Sequence, residues 1–382
     1  MSETFDVAVI GAGVFGAWTA WHLARRGQRV VLLDAYGPAH NRSSSGGESR
    51  IIRMSYGPDE IYTRWSQRSL RQWRELFAAT GEKLFLPTGV LWMAGEGDAY
   101  LQASIANLKR CGVSHELMNR RELEARYPQV NFENVACGML ETESGVLMAR
   151  RAVNCVVQSG KQMGVEFRIA HVNLAPRGDK LETVTTHSND NVCAGQFVFA
   201  CGPWLGKVFP EVLRPRIFPT RQEVFFFGSP AGDPRFAPPA LPTWLFQGDE
   251  MYGMPDIESR GLKIALDRHG ERVDPDTQSR LPSQEAIDQA RSYVARRFPA
   301  LKDAPITETR VCQYENTSNG DFLIDQHPEL PNVWLAGGGS GHGFKHGPAV
   351  GEYTAARVLG EGVAEPRFSL ATKATEQKRA VH

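Results

Sequence analysis

Residues 6–34 read DVAVIGAGVFGAWTAWHLARRGQRVVLLD, and their order decides the fold. Residues 7–10 form an unbroken apolar run too short for a typical helix, which predicts a strand buried on both faces. Gly11, Gly13 and Gly16 follow in G-x-G-x-x-G register. The first permits a tight turn, the second lets backbone approach a pyrophosphate, and the third lets the next helix pack against the strand. That helix would present its unpaired N–H groups and positive dipole end to phosphate. Residues 30–33 read as a second strand, ended by Asp34. A carboxylate there can accept hydrogen bonds from both ribose hydroxyls of an adenosine and disfavours a 2′-phosphate. This predicts an α/β, Rossmann-like dinucleotide fold without separating NAD from FAD.

Composition narrows the class. The 382 residues suggest two domains, and 43 basic against 43 acidic residues give no net charge, which argues against nucleic-acid or anionic-membrane binding. No apolar run approaches a membrane span, and the N-terminus enters a strand with no signal peptide before it. Six cysteines lack CxxC or zinc-ligand spacing, so reduced thiols in the cytoplasm are expected. The final Arg-Ala-Val-His carries no SKL-type address.

Beyond Asp34, the Gly/Ser/Asn-rich residues 40–57 are expected to wrap the cofactor or to form plain surface. Arg50 and Arg53 would share a face if they lay on a helical turn. Residues 60–79 carry a helical stripe ended near Gly81, residues 85–94 read as strand, and 105–111 and 121–127 as helical pieces. Residues 149–163 read as helix and 165–170 as strand, followed by a polar hairpin. A buried strand in 195–204 runs into a Gly-Pro turn, with Cys201 a packing residue.

From 221 to 314 the pattern becomes strands with turn signals, an antiparallel sheet roofing a site. In GLKIALD, alternation sends Lys263, Ala265 and Asp267 one way, and in TRVCQY it groups Arg310, Cys312 and Tyr314. An amphipathic helix at 283–297 would cover the other side. In residues 332–352, NVWLAGGGSGHGFKHGPAVGE, a buried strand leads to a glycine-lined approach and a helix from about Pro348. A helix N-terminus aimed at a ring would stabilise negative charge on a reduced flavin, which tips the cofactor from NAD to FAD.

Taken together, residues 6–34, SRIIRMSYG, GLKI, VCQYENTSNGDFLID and AGGGSGHGFKHGPAVGE resemble the monomeric sarcosine oxidase family. That family includes N-methyltryptophan and related secondary-amine oxidases, and the similarity runs from Phe5 to about Leu359. It implies FAD joined through a thioether to Cys312, with Lys263 above the flavin speeding oxygen reduction. Arg53 and Lys345 would hold the substrate carboxylate, Arg50 would lie near the flavin, and Tyr252 and Tyr314 would line the pocket. Cofactor contacts would come from Gly11, Gly13, Val14, Phe15, Gly16, Asp34, Ser44 and Arg50. The stretch Gly339, Ser340, Gly341, His342, Gly343, Phe344 and Lys345 would add more. Two family histidines are replaced, one by Gly46 and one by Asp267, with His269 two residues further on. Asp267 would pair with Lys263, or the substrate would bring extra positive charge or hydroxyls.

The expected architecture is an FAD-binding domain (1–85, 148–220 and 318–382) with an inserted α+β substrate domain (86–147 and 221–317) carrying a mostly antiparallel sheet. The expected activity is oxidation of a secondary amine to an imine that hydrolyses, with oxygen reduced to hydrogen peroxide. Its partners would be a small-molecule amine and O2, without nucleic acid or membrane, in a cytoplasmic monomer or small homo-oligomer. A glycated or cyclic amino acid is the alternative substrate. The alternative classes are an FAD dehydrogenase using a protein or quinone acceptor, and a non-catalytic FAD-binding subunit.

Overall fold

The strand Thr4–Ile10, the helix Val14–Arg25 and the strand Val30–Asp34 form a βαβ unit with the two strands paired in parallel. The computed structural model describes residues 4–173 and 179–376, so the C-terminal Arg-Ala-Val-His lies outside the described residues. A Cβ on Gly16 would lie 1.8 Å from the Gly11 carbonyl oxygen, so helix and strand meet this closely only because no side chain intervenes.

Parallel strands continue the sheet in the spatial order Glu166–Ile169, Val30–Asp34, Thr4–Ile10, Asn191–Phe199 and Val333–Gly337. Antiparallel additions bring it to eight strands. The helices Ala149–Gln162 and Gly347–Val358 pack beside Val14–Arg25 on this sheet. Val153, Val156 and Val157 join Val9, Leu23 and Trp18 in one core. Burying each such valine contributes about 1.5–3 kcal/mol relative to exposure.

A second eight-stranded sheet begins with Ile306–Asn316, Phe218–Phe227, Leu262–Leu266 and Met251–Met254 in antiparallel order. It continues through Thr243–Phe246, Val90–Ala94, Cys137–Glu141 and His115–Asn119, with one parallel pairing, Thr243–Phe246 on Val90–Ala94. One face is apolar. Phe225, Phe227, Leu262 and Ile264 pack there against Ala290, Tyr293 and Val294 of the helix Gln284–Arg297. Ser283 caps that helix by accepting from the Ala286 N–H at 3.2 Å. The other face carries Lys263, in register with Phe226, and roofs a cavity.

Two expectations are corrected here. Residues 85–94 are two strands in different sheets, Phe85–Leu86 and Val90–Ala94, because Pro87 and Gly89 (φ +72°) break the run. Arg50 does not lie on a helical turn with Arg53. Arg50–Ile52 is a strand paired with Gly145–Leu147, as the adjacent β-branched Ile51 and Ile52 favour. The helix expected from about Pro348 is Gly347–Val358, and it continues a 3-10 turn, Phe344–His346, whose Phe344 and Lys345 border the cavity. Among the described residues, no helix is long and apolar enough to cross a membrane, and no cluster of His, Cys, Asp and Glu could hold a metal.

Candidate active site

Three connected hollows run from the carboxyl end of the parallel strands to the underside of the roof. Gly11, Gly13, Asp34, Ser44, Cys201 and Trp204 border the outer one. Gly13, Val14, Phe15, Ser44, Gly339 and Gly343 border the middle one. Arg53, Lys263, Asp267, Tyr252, Ser340 and Lys345 border the inner one. Gly13 and Ser44 belong to the first two, while Arg50, Tyr314, Gly341 and Phe344 belong to the last two, so the channel is continuous.

Most of the residues expected at the cofactor lie along this channel; Gly16 does not border it and serves the helix–strand contact alone. Asp34 borders it but is heavily engaged. Its carboxylate accepts from the backbone N–H groups of Ala12 (2.7 Å), Tyr36 (2.9 Å) and Gly37 (3.0 Å). Of about four lone-pair positions on a carboxylate, that leaves about one for a ribose hydroxyl. Ser44 donates to the Gln313 carbonyl at 2.8 Å, and Ser45 accepts the Val14 N–H at 3.1 Å. The first bond ties the loop after Asp34 to the roof strand Ile306–Asn316, and the second ties it to the start of the glycine helix. Burial pushes the Cys201 thiol far above its usual range, in keeping with a packing role.

The inner cavity is ringed by cations. Lys263 is buried and donates to the Ser49 carbonyl at 2.9 Å and its hydroxyl at 3.2 Å. Burial, aided by Arg50, holds its pKa well below the usual lysine range. Arg50 donates to the carbonyls of Ser49 (2.8 Å) and Ser44 (2.6 Å), and its guanidinium lies 3.6 Å from Cys312 Sγ. Arg53 bonds the Ser55 carbonyl and lies over the rings of Tyr56 and Trp92, at 4.4 and 5.0 Å from their centroids. Lys345 donates to Tyr56 Oη at 2.7 Å and the His342 carbonyl at 2.8 Å. Burial and Arg53 hold its pKa well below the usual range as well.

Asp267 does not pair with Lys263. Burial raises its pKa to about 6, against the pull of Arg53 and then Lys345, so its field couples it to those two cations. The hydroxyls of Tyr252 and Tyr314 interact with each other, and burial raises Tyr252 to about 12. His269, brought to about 4 by burial, is a neutral ring set edge-on to Tyr314. At Gly46 a Cβ would lie 2.0 Å from the His40 carbonyl oxygen, so no side chain fits without moving backbone.

These residues fit a dinucleotide with a planar ring system. The Val14–Arg25 helix presents its N-terminus to the middle of the channel. At the inner end, Ser340 (φ +44°) and Gly341 (φ +80°) curl the loop so that bare backbone faces the cavity. A Cβ on Gly341 would lie 2.8 Å from the Tyr314 ring. The result is a backbone floor under a lysine-bearing roof, with a thiol at one side.

Further residues shape the cavity. Phe226, whose ring centroid is 6.0 Å from Lys263 Nζ, was legible in the alternation of QEVFFFG. The network behind Lys345 was not. Tyr56 Oη meets His346 Nε2 at 2.7 Å and His342 Nδ1 at 3.2 Å, contacts between residues 290 and 286 positions apart. Glu141 lies beyond Arg53 and accepts from Met54 N, Ser55 N and Trp92 Nε1, and only the fold brings these together.

A family model described as FAD dependent oxidoreductase matches residues 6–357. Human peroxisomal sarcosine oxidase is 31% identical over 357 residues, covering 92% of this chain and 91% of the relative. Monomeric sarcosine oxidase of Streptomyces avermitilis is 31% identical over 375 residues, covering 96% of each. Among solved structures, L-proline dehydrogenase from P. horikoshii superposes with a TM-score of 0.84 at 22% identity, covering 97% of this chain and 98% of its own.

Proposed function

Because the chain belongs to the family of FAD dependent oxidoreductases, we propose that it oxidises a secondary amine bearing a carboxylate, with oxygen as electron acceptor. The observation that carries this reading is the inner cavity, where Arg53, Lys345, Asp267 and Lys263 surround a space floored by Gly341. FAD, when bound, supplies a two-electron acceptor that can be emptied by oxygen. Gly13, Val14 and Phe15 would hold its phosphates, Gly339 to Phe344 would floor the ring, and Cys312 would tether it.

The chain's own groups do the rest. Arg53 and Lys345 bind the substrate carboxylate, which fixes the amine end towards the roof. The amine arrives as an ammonium and must lose a proton before its carbon can give up a hydride equivalent. Asp267 takes that proton onto its carboxylate, and the neighbouring cations lower the ammonium pKa so that the transfer is feasible. Lys263 offers positive charge where oxygen gains electrons. The imine product hydrolyses in water.

The reading is tested by a peroxide-coupled screen of N-methyl, N-carboxymethyl, cyclic and glycated amines. Peroxide from a carboxylated secondary amine without an added acceptor supports it. Turnover only with an added quinone or protein acceptor sinks it in favour of a dehydrogenase. For the wild type, activity should rise with pH through about 6 as Asp267 ionises, the value that burial sets. Asp267→Asn should move this acid limb up to the pKa of the ammonium itself, and Asp267→His should change the preference order of the screen. An unmoved limb and order would remove Asp267 from the mechanism.

A further inference from the structure

Glu315 lies on the roof strand next to Tyr314, yet its carboxyl borders the middle of the channel rather than the inner cavity. It is a buried side chain, and its Oε1 is sealed from solvent with no hydrogen-bond partner. The fold makes room for it. A Cβ on Gly337 would lie 2.3 Å from Oε1, so the carboxyl packs directly against glycine backbone. The backbone N–H groups of Gly338 and Gly339 face it from the start of the floor loop.

An ionised carboxylate is a poor lining for a passage that takes an anionic dinucleotide, and a buried polar atom without a partner costs about 1–3 kcal/mol. A protonated carboxyl removes the charge and lowers the cost of the sealed Oε1, and its other oxygen can donate to the ligand. We propose that Glu315 is a cofactor-binding residue that donates a hydrogen bond from its carboxyl group to an oxygen of the phosphate–polyol linker. This rests on FAD occupying the channel and goes beyond the assignment of catalytic groups.

The surroundings support a neutral acid. Burial raises the Glu315 pKa to about 8, against the N–H groups of Gly338 and Gly339. Facing it, the strand Phe218–Phe227 offers Pro219 in register, and the helix Leu205–Val208 offers Leu205, neither of which titrates. Cys201, past the end of Asn191–Phe199, feels Glu315 but is itself held neutral by burial. Arg50 and Tyr314 are the other ionisable side chains among the described residues lining this segment. Deprotonation of Glu315 then removes the donor and sets a negative charge beside the phosphates. FAD affinity must therefore fall as pH rises above about 8, the value its burial sets.

The test uses the Cys312→Ser protein, in which FAD can dissociate, and reads FAD retention by ultrafiltration and absorbance at about pH 6.5 and about pH 9.5. With Glu315 intact, the dissociation constant should rise roughly tenfold or more across this range, whereas Glu315→Gln should hold it roughly constant. Equal weakening in both proteins overturns the proposal. Should the Gln variant not fold, proton uptake on adding FAD to the Cys312→Ser protein near pH 8.5 decides: net uptake supports it and none overturns it. Absence of bound flavin at both pH values overturns the cofactor reading itself, and this proposal with it.

Discussion

Lys263→Met should lower the rate of oxygen consumption by roughly 10²–10³-fold, the loss typical of removing one preorganised electrostatic group. Anaerobic bleaching of the protein's yellow colour by substrate should change by less than about threefold, so the defect lies in the oxygen step. The reason is local. Lys263 is buried on the roof and anchored by the carbonyl and hydroxyl of Ser49, with Phe226 beside it. Burial and Arg50 press it towards the neutral amine. Negative charge arriving in the cavity reverses that balance and draws a proton onto Nζ, so positive charge appears when oxygen needs it. Methionine keeps the length of the side chain and removes the charge. Equal slowing of both half-reactions would show that Lys263 merely shapes the cavity.

Arg53→Met should lower kcat/KM for a carboxylated amine by about 30- to several-thousand-fold, the range for losing one member of a desolvated charge pair at about 2–5 kcal/mol. An amine of the same shape without the carboxylate should lose far less. The fold should tolerate the change. Glu141, the carboxylate beyond Arg53, keeps its bonds from Met54 N (2.6 Å), Ser55 N (3.0 Å) and Trp92 Nε1 (2.8 Å). Parallel loss for both amines would mean that Arg53 supports the cavity wall instead of binding the carboxylate.

Sequence patterns disclosed those parts of the molecule governed by local rules. The G-x-G-x-x-G stretch fixes strand, turn and helix through steric limits within a few residues, and the contact of Gly16 with Gly11 bears this out. Period-two alternation correctly sent Lys263 and Asp267 to one cavity, and Arg310, Cys312 and Tyr314 to the same place. Spacing misleads where it is read with the period of the wrong secondary structure. Arg50 and Arg53 do both line the cavity, but the chain leaves its strand after Ile52 instead of winding a helical turn. The break at Pro87 and Gly89 was written in the residues and belonged to a different rule, turn chemistry, from the apolar run around it.

Long-range electrostatics remained hidden. The coupling of Asp267 to Arg53 and Lys345 joins three distant segments, and no periodicity reports it. The same holds for Glu315, whose alternation faces it away from Tyr314 and whose surroundings come from Gly337 and Leu205. A lone glutamate in a strand reads as solvated, and only the packing reveals the opposite.

A flavin ring placed between the Gly341 floor and the Lys263 roof would come within reach of Cys312. Peptide mass mapping of the purified protein tests this placement most directly. The peptide containing Cys312 should carry one flavin and fluoresce. An unmodified Cys312 peptide, from protein that releases no flavin on denaturation, would contradict it.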